Sequence, residues 1–381
     1  MKPKNRSAGP ARILSSLAAL TLAAAAFAPT SAFGSTAANT VIVNTATVNY
    51  NDVGNNPQTA VTATASVTVT LVPSAPLLSS PGNVTANQGG PATVLTYSIT
   101  STANGQDTYT LGSGVVSVNV SSVTPTFPAS ISLGGTTLAS PAVAGNTSIT
   151  TPYDGVVSNT SLNGLVVGSV ISVGGNSYII GSITKNAAAN TTAIGITTAI
   201  TGATVATGLI VGETKTFNET VPTGTVTSGN SGTETVTTTA AGTSGGTTTQ
   251  STPTVITVTR PTLTVTKTVS IDGGATFTAS ANAPPATVLV YKIVATNTGT
   301  SAANSVAFTD VVPQYLTYVV NSGKFSTSAA ATYTTGSTAV ADGSGGYTFA
   351  ANTVAYNPGG ATGTVAGSGG VLILFFKATI N

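Results

Sequence analysis

Histidine, cysteine and tryptophan are absent from all 381 residues. Without histidine there is no Ser-His-Asp or Cys-His group, no histidine-based zinc site and no ordinary general base for neutral pH. Without cysteine there is no thiol nucleophile, no iron–sulfur ligand and no disulfide staple, so stability must come from packing and strand ladders. Charge is scarce too. Asp, Glu, Lys and Arg make up 5% of the chain, against roughly 25% in ordinary globular proteins. The nine carboxylates never occur as close runs, and no Asp-x-Asp calcium loop is present. These absences leave no catalytic residue, no cofactor site and no metal site to nominate, and the chain reads as a non-enzyme.

The basic residues are unevenly placed. Lys2, Lys4, Arg6 and Arg12 precede an apolar run from Ile13 to Ala28, and the small residues Ala32 and Gly34 precede Ser35. A basic start, a short apolar core and small residues before a cut make a secretory signal peptide over residues 1–34. Seven basic residues then face nine acids in the remainder, a net charge of −2. No basic cluster remains for nucleic acid. No membrane span is expected in the mature chain, since Val371–Phe376 is far shorter than the ~20 residues a helix needs. The expected location is therefore the cell surface or the extracellular space. A surface this poor in charge suits a protein living in an assembly, because charge is what ordinarily prevents association.

Thr, Ser, Gly, Ala, Val and Asn fill the chain, and alternation of apolar and hydroxyl residues is pervasive. Val67-Thr68-Val69-Thr70 and Ile256-Thr257-Val258-Thr259 have the period of two of half-buried strands. Gly, Asn and Pro clusters punctuate such runs at short intervals, which predicts a sandwich or barrel. Tyr97, Tyr291, Phe308, Tyr315, Tyr318, Phe375 and Phe376 are spaced as strand residues and are expected in cores.

The sequence also repeats. Pro91-Ala92-Thr93-Val94-Leu95-Thr96-Tyr97-Ser98-Ile99 matches Pro285-Ala286-Thr287-Val288-Leu289-Val290-Tyr291-Lys292-Ile293 at seven of nine positions, and a polar turn follows each: Asn104-Gly105 and Asn297-Thr298-Gly299. A second element recurs. Thr45-Ala46-Thr47-Val48 leads to Val67–Thr70 and Pro73, and Thr233-Glu234-Thr235-Val236 leads to Ile256–Thr259 and Pro261. Each reads as a β-hairpin closed off by a proline.

The stretch Leu263–Asn381 resembles the domain-of-unknown-function 11 family, an Ig-like repeat of bacterial and archaeal surface proteins. Leu263-Thr264-Val265-Thr266-Lys267-Thr268, Asn297-Thr298-Gly299, Val306–Pro313, Leu316–Val319 and Leu372–Ala378 carry the likeness. Residues 83–259 resemble a divergent copy. The resemblance implies a sandwich fold, an envelope or surface location and no catalytic residues. The expected architecture is all-β: tandem Ig-like β-sandwiches, with an N-terminal β-hairpin segment at 35–73, a sandwich at 74–259 carrying an inserted small β subdomain at about 130–211, and a C-terminal Ig-like domain at 262–381.

In this family the unit is often followed by a hairpin of the Asn-Thr-Ala-Thr-Val type. The middle unit has one at 231–259, no such hairpin is read after the last unit, and residues 40–72 form one with no unit before it. Three places are open to that hairpin: the C-terminal domain of another molecule, the middle domain of its own chain, or its own C-terminal domain. Donation to another molecule would make a homopolymer. Other envelope proteins are the remaining structural partners, and the runner-up function is an adhesin binding a glycan or protein through the insert.

Three short motifs stand apart from the β pattern. Ser182-Ile183-Thr184-Lys185 spells the Ser-x-x-Lys of penicillin-binding proteins, but it lies in a strand-like stretch where the two side chains point to opposite faces, and an exposed strand end is expected. Lys267 and Asp310 could form an ion pair or, as in some surface Ig-like domains, an isopeptide, for which the domain offers few acids. Asn83, Asn119, Asn146, Asn159, Asn190 and Asn218 open Asn-x-Ser/Thr triplets, glycan acceptors only in a host that modifies exported proteins.

Overall fold

The computed structural model describes residues 36–381, so the expected signal peptide at 1–34 lies outside the described residues. Strands supply all the regular structure there, and no helix of the described residues is long and apolar enough to cross a membrane. The alternation of Val, Ile and Thr fits a pleated surface buried on one side.

The first two strands, β1 (Val41–Val48) and β2 (Val61–Thr68), pair antiparallel from Val41 opposite Thr68 to Val48 opposite Val61. The middle unit opens with β3 (Leu77–Leu78), β4 (Val84–Asn87), β5 (Thr93–Thr100), β6 (Asp107–Val118) and β7 (Ser130–Leu133). An insert follows: β8 (Gly135–Thr137), β9 (Ser148–Pro152), β10 (Ser161–Leu162), β11 (Leu165–Val166), β12 (Val170–Val173), β13 (Asn176–Asn186) and β14 (Thr191–Ile196). The unit resumes with β15 (Ile210–Val221), β16 (Ser231–Gly242), β17 (Thr249–Gln250) and β18 (Thr254–Thr259).

Two sheets face each other in this unit. One has the order β3-β5-β15 and runs on through the insert as β12-β13-β14-β9; the other has the order β4-β18-β16-β6-β7. Leu95, Tyr97 and Phe217 meet Tyr109, Leu111, Val236, Ile256 and Val258 in the core between them. The insert thus extends a sheet of its host, yet it has its own core of Leu165, Ile171, Ile180, Ile183 and Ile194. Gly174 and Gly175 turn β12 into β13 with φ of 59° and 85°, the left-handed pair that a two-residue hairpin turn needs. Ser130–Leu133 belong to the sandwich, not the insert: β7 pairs with β6, and Leu133 is buried in the sandwich core, so the insert proper begins near Gly135.

The C-terminal unit comprises β19 (Leu263–Ser270), β20 (Val288–Asn297), β21 (Phe308–Val311), β22 (Leu316–Tyr318), β23 (Lys324–Ser326), β24 (Thr338–Ala339), β25 (Tyr347–Ala350), β26 (Thr353–Tyr356) and β27 (Gly370–Ile380). Its sheets have the orders β19-β20-β27-β23-β24 and β21-β26-β25. Ile293, Leu372, Leu374 and Phe376 pack against Phe308, Tyr347, Val354 and Tyr356 between them. A second cluster of Val290, Tyr333, Ile373 and Phe375, with Phe277 against it, covers the outer face. That double cover explains why Leu372–Phe376 is a continuous apolar run rather than an alternating one. Tyr315 departs from the expected core set. It sits in the turn after Pro313 at φ 73°, with its side chain in solvent.

Candidate functional site

Three glutamates of the middle unit are buried and hydrogen-bonded within the fold. Glu219 is buried between the sheets and accepts from Thr238 Oγ1 at 2.7 Å and from Ser113 Oγ. Glu213 accepts from Gly134 N and Ser169 Oγ, each at 2.8 Å. Glu234 accepts from Gly224 N at 2.9 Å, and burial pushes its carboxyl above the usual range. Among the described residues no group of three acidic side chains is placed to hold a metal ion. Lys185 is not an exposed strand end. Its side chain is only 2% exposed and forms an ion pair with Asp154 at 2.8 Å, because the i, i+3 spacing on β13 turns it inward while Ser182 faces out. Five of the six triplet asparagines, Asn83, Asn119, Asn159, Asn190 and Asn218, use their side chains in hydrogen bonds of the fold.

What the structure leaves unspent is the hairpin β1–β2. Every residue of both strands is exposed except the half-buried Val41. Cross-strand register puts Ile42, Asn44, Ala46, Val48, Val61, Ala63, Ala65 and Val67 on one face. The other face carries Val41, Val43, Thr45, Thr47, Thr62, Thr64, Ser66 and Thr68. One face is thus almost wholly apolar and the other mostly hydroxylated, the pattern of a hairpin that buries one side. An isolated two-stranded hairpin is at best marginally stable in water.

The tip and the root are nonetheless organised. At the tip Asp52 Oδ1 accepts from Gly54 N at 2.8 Å and Asn56 N at 2.9 Å, and these bonds hold its carboxyl below the usual range. At the root Ala37, Ala38 and Thr40 are buried. Asn104 of the middle unit grips both sides of the root: its Nδ2 donates to Thr36 O at 2.7 Å, its Oδ1 accepts from Val72 N at 2.7 Å, and its carbonyl accepts from Ala38 N at 2.9 Å. From the insert, Asn163 Nδ2 donates to Ala38 O at 3.1 Å and Asn190 Nδ2 to Val41 O at 3.3 Å. Asn104-Gly105 has the sequence of a polar turn; its use with Asn163 as a clamp depends on segments 68 and 125 residues away meeting the two asparagines. Of the three places open to the hairpin, the middle domain of its own chain holds the root alone.

The hairpin β16–β18 shows the same design completed. Its body fills the middle unit, where Val236, Ala240, Ile256 and Val258 join the core. Its root is gripped by the next unit: Asn230 Nδ2 donates to Thr298 O at 2.9 Å, Thr262 Oγ1 donates to Asn230 Oδ1 at 2.8 Å, and Asn297 Oδ1 accepts from Thr262 N at 3.0 Å. Gly105 and Gly299 serve the two clamps alike. A Cβ at Gly105 would lie 2.6 Å from Ala38 Cβ, and one at Gly299 would lie 2.4 Å from Arg260 O. In both places the root passes too close for any side chain.

No family model matches the chain, and no curated protein matches it. Among solved structures it is similar to the C-terminal domain of the AgI/II polypeptide BspA of Streptococcus agalactiae, at 11% identity and a TM-score of 0.29, over 80% of this chain and 91% of that one. It is also similar to the C-terminal domain of the antigen I/II-family protein AspA of Streptococcus pyogenes, at 12% identity and a TM-score of 0.26, over 90% and 91% of the two chains.

Proposed function

We propose that the chain is an exported, non-catalytic structural subunit of the cell envelope or extracellular matrix that joins to copies of itself by donating the hairpin Val41–Thr68. The observation that carries this reading is the hairpin itself: its apolar face is covered by nothing within residues 36–381, while its root is fixed by Asn104, Asn163 and Asn190. A fixed root points a ready-made pair of strands at a partner without the entropy cost of ordering a loose tail. The basic and apolar start at residues 1–34 and the likeness of 262–381 to the domain-of-unknown-function 11 repeats support export and a surface setting.

The test compares protein beginning at Ser35 with protein beginning at Pro73, by light scattering and negative-stain microscopy. Polymers from the first and none from an equally folded second support strand donation. Monomers from both overturn it and favour the adhesin that binds through the insert.

A further inference from the structure

We infer that the hairpin's receptor is the bare inner face of the C-terminal unit of a second copy, between β19 and the free edge of β21. This rests on the reading of the hairpin as a donated element and goes further in naming where it docks and in which direction the assembly grows.

The two units share a frame that allows residue-by-residue comparison. In the middle unit Tyr97 on β5 stacks on Phe217 of β15 with ring centroids 5.3 Å apart; in the C-terminal unit Tyr291 on β20 stacks on Phe376 of β27 at 5.2 Å. Next along the chain, β6 pairs with β7 on one side and with β16 on the other. Its counterpart β21 pairs with β26 alone, and its second edge is unpaired. An unpaired edge is a template for another strand.

The inner faces differ as an empty seat differs from a filled one. Tyr97 is 0% exposed, with the hydroxyls of Thr238 on β16 and Thr254 on β18 beside its own. Tyr291 has no such hydroxyls beside it and is only partly buried. Register places Leu263, Val265 and Lys267 on the face of β19 that also bears the inward residues Asn297, Ala295 and Ile293 of β20, yet Val265 is 63% exposed and Leu263 42%. Lys267 Nζ reaches over the Tyr291 ring, 4.9 Å from its centroid, to Asp310 of β21 at 2.7 Å. That ion pair spans the gap between the two sheets. In the middle unit Leu78 has the same register position as Lys267, opposite Ile99, and packs on a core that the hairpin closes.

The clamps set the direction. Each unit grips the root of the hairpin whose body fills the unit before it. The C-terminal unit grips the root of β16–β18, which fills the middle unit. The middle unit grips the root of β1–β2, so that hairpin is aimed away from the middle unit and toward a unit with β16–β18 missing. Within residues 36–381 the C-terminal unit has that vacancy, and β1–β2 does not reach it in its own chain. A second copy supplies it. The strand β1 then lies antiparallel to β21 as β16 lies to β6, with Ile42, Ala46, Val48, Val61, Ala63 and Val67 turned to Tyr291, Leu263 and Val265. The junction between molecules repeats the junction within each, so growth is head-to-tail.

Two variants of the chain beginning at Ser35 test this. Ala63→Lys/Val67→Lys puts charge on the donor face, and Val265→Lys puts charge on the receptor face; all three positions are exposed in the monomer, so both variants are expected to fold. Each alone should lose polymerisation. Mixed, they should form a one-to-one heterodimer that grows no further, because only one sound donor and one sound receptor remain. Polymers from Val265→Lys alone, with none from the donor variant, would keep strand donation and overturn this receptor. A mixture that yields no heterodimer overturns it as well. A parent protein that never leaves the monomer would sink strand donation itself.

Discussion

The hairpins at 41–68 and 231–259 have the same local grammar and opposite fates. Both alternate apolar and hydroxyl residues, both run into a proline, and both have roots clamped by an asparagine of the unit that follows, Asn104 in one and Asn297 in the other. In one, Val236, Ile256 and Val258 are wholly buried; in the other, Val48, Val61 and Val67 stand more than half exposed. Strand pairing is a short-range matter that a turn and an alternating pattern settle. Burial is not, because it depends on whether a second sheet is there to meet the apolar face. The difference teaches that pairing and burial are decided separately: β1–β2 is fully paired, yet its apolar face meets no second sheet within the described residues.

Substitutions sharpen the contrast. Ile256→Ala should cost about 2–5 kcal/mol of stability in denaturant unfolding, since it opens a cavity in a filled sandwich. Val67→Ala should change the monomer by less than about 0.5 kcal/mol while weakening self-association measured by light scattering. Equal losses of monomer stability would mean that the N-terminal hairpin is already packed in solution and would break the comparison.

A smaller effect is expected at the clamps. Asn104→Ala removes the acceptor of Val72 N and the donor to Thr36 O, and buried groups left without partners cost about 1–3 kcal/mol. Hydrogen exchange should quicken in residues 36–48 and spare the C-terminal unit. Asn297→Ala should do the converse, loosening Thr262 and the loop at Ser301 and Val365. Exchange that quickens everywhere in both variants would show that these asparagines hold whole domains rather than hairpin roots.

The smallest effect distinguishes the inner faces of the two hairpins by pH. Glu234 lies on the core side of β16, where Ala46 stands in the matching motif of β1. Burial raises the Glu234 carboxyl above its ordinary value of 4.5. The folded chain therefore holds that proton more tightly than the unfolded chain does. Stability is unaffected by this group below the ordinary value and falls as pH climbs from there through the raised one. Glu234→Gln should remove that fall, raising Tm at pH 7 and leaving it unchanged at pH 4. A lower Tm at pH 7 would show that the charged carboxylate is the favoured form.

Much of the fold was legible residue by residue. Gly174-Gly175, set between the apolar runs Val170–Val173 and Tyr178–Ile180, has the sequence of a hairpin turn, and both glycines make it at positive φ. The match of Pro91–Ile99 to Pro285–Ile293 announced a repeated strand, and each copy pairs with a long strand that sets a phenylalanine opposite its tyrosine, Phe217 on β15 and Phe376 on β27. Other features were not legible. Leu133 joins the sandwich and not the insert because of what lies opposite it, and Lys185 is buried because Asp154, 31 residues earlier, arrives beside it. Tyr315 has a strand aromatic's spacing but a turn's backbone, which throws its ring outward.

By itself, the sequence determined the absence of histidine and thiol chemistry, the β periodicity, the repeat and the two hairpins, because composition and period-two alternation are local properties written along the chain. Tertiary structure alone decided which hairpin is covered, which asparagines hold the roots and which inner face stays bare. Those outcomes depend on the meeting of segments tens to more than a hundred residues apart, and hydrophobic burial is worth nothing to a strand until such a meeting removes its apolar face from water.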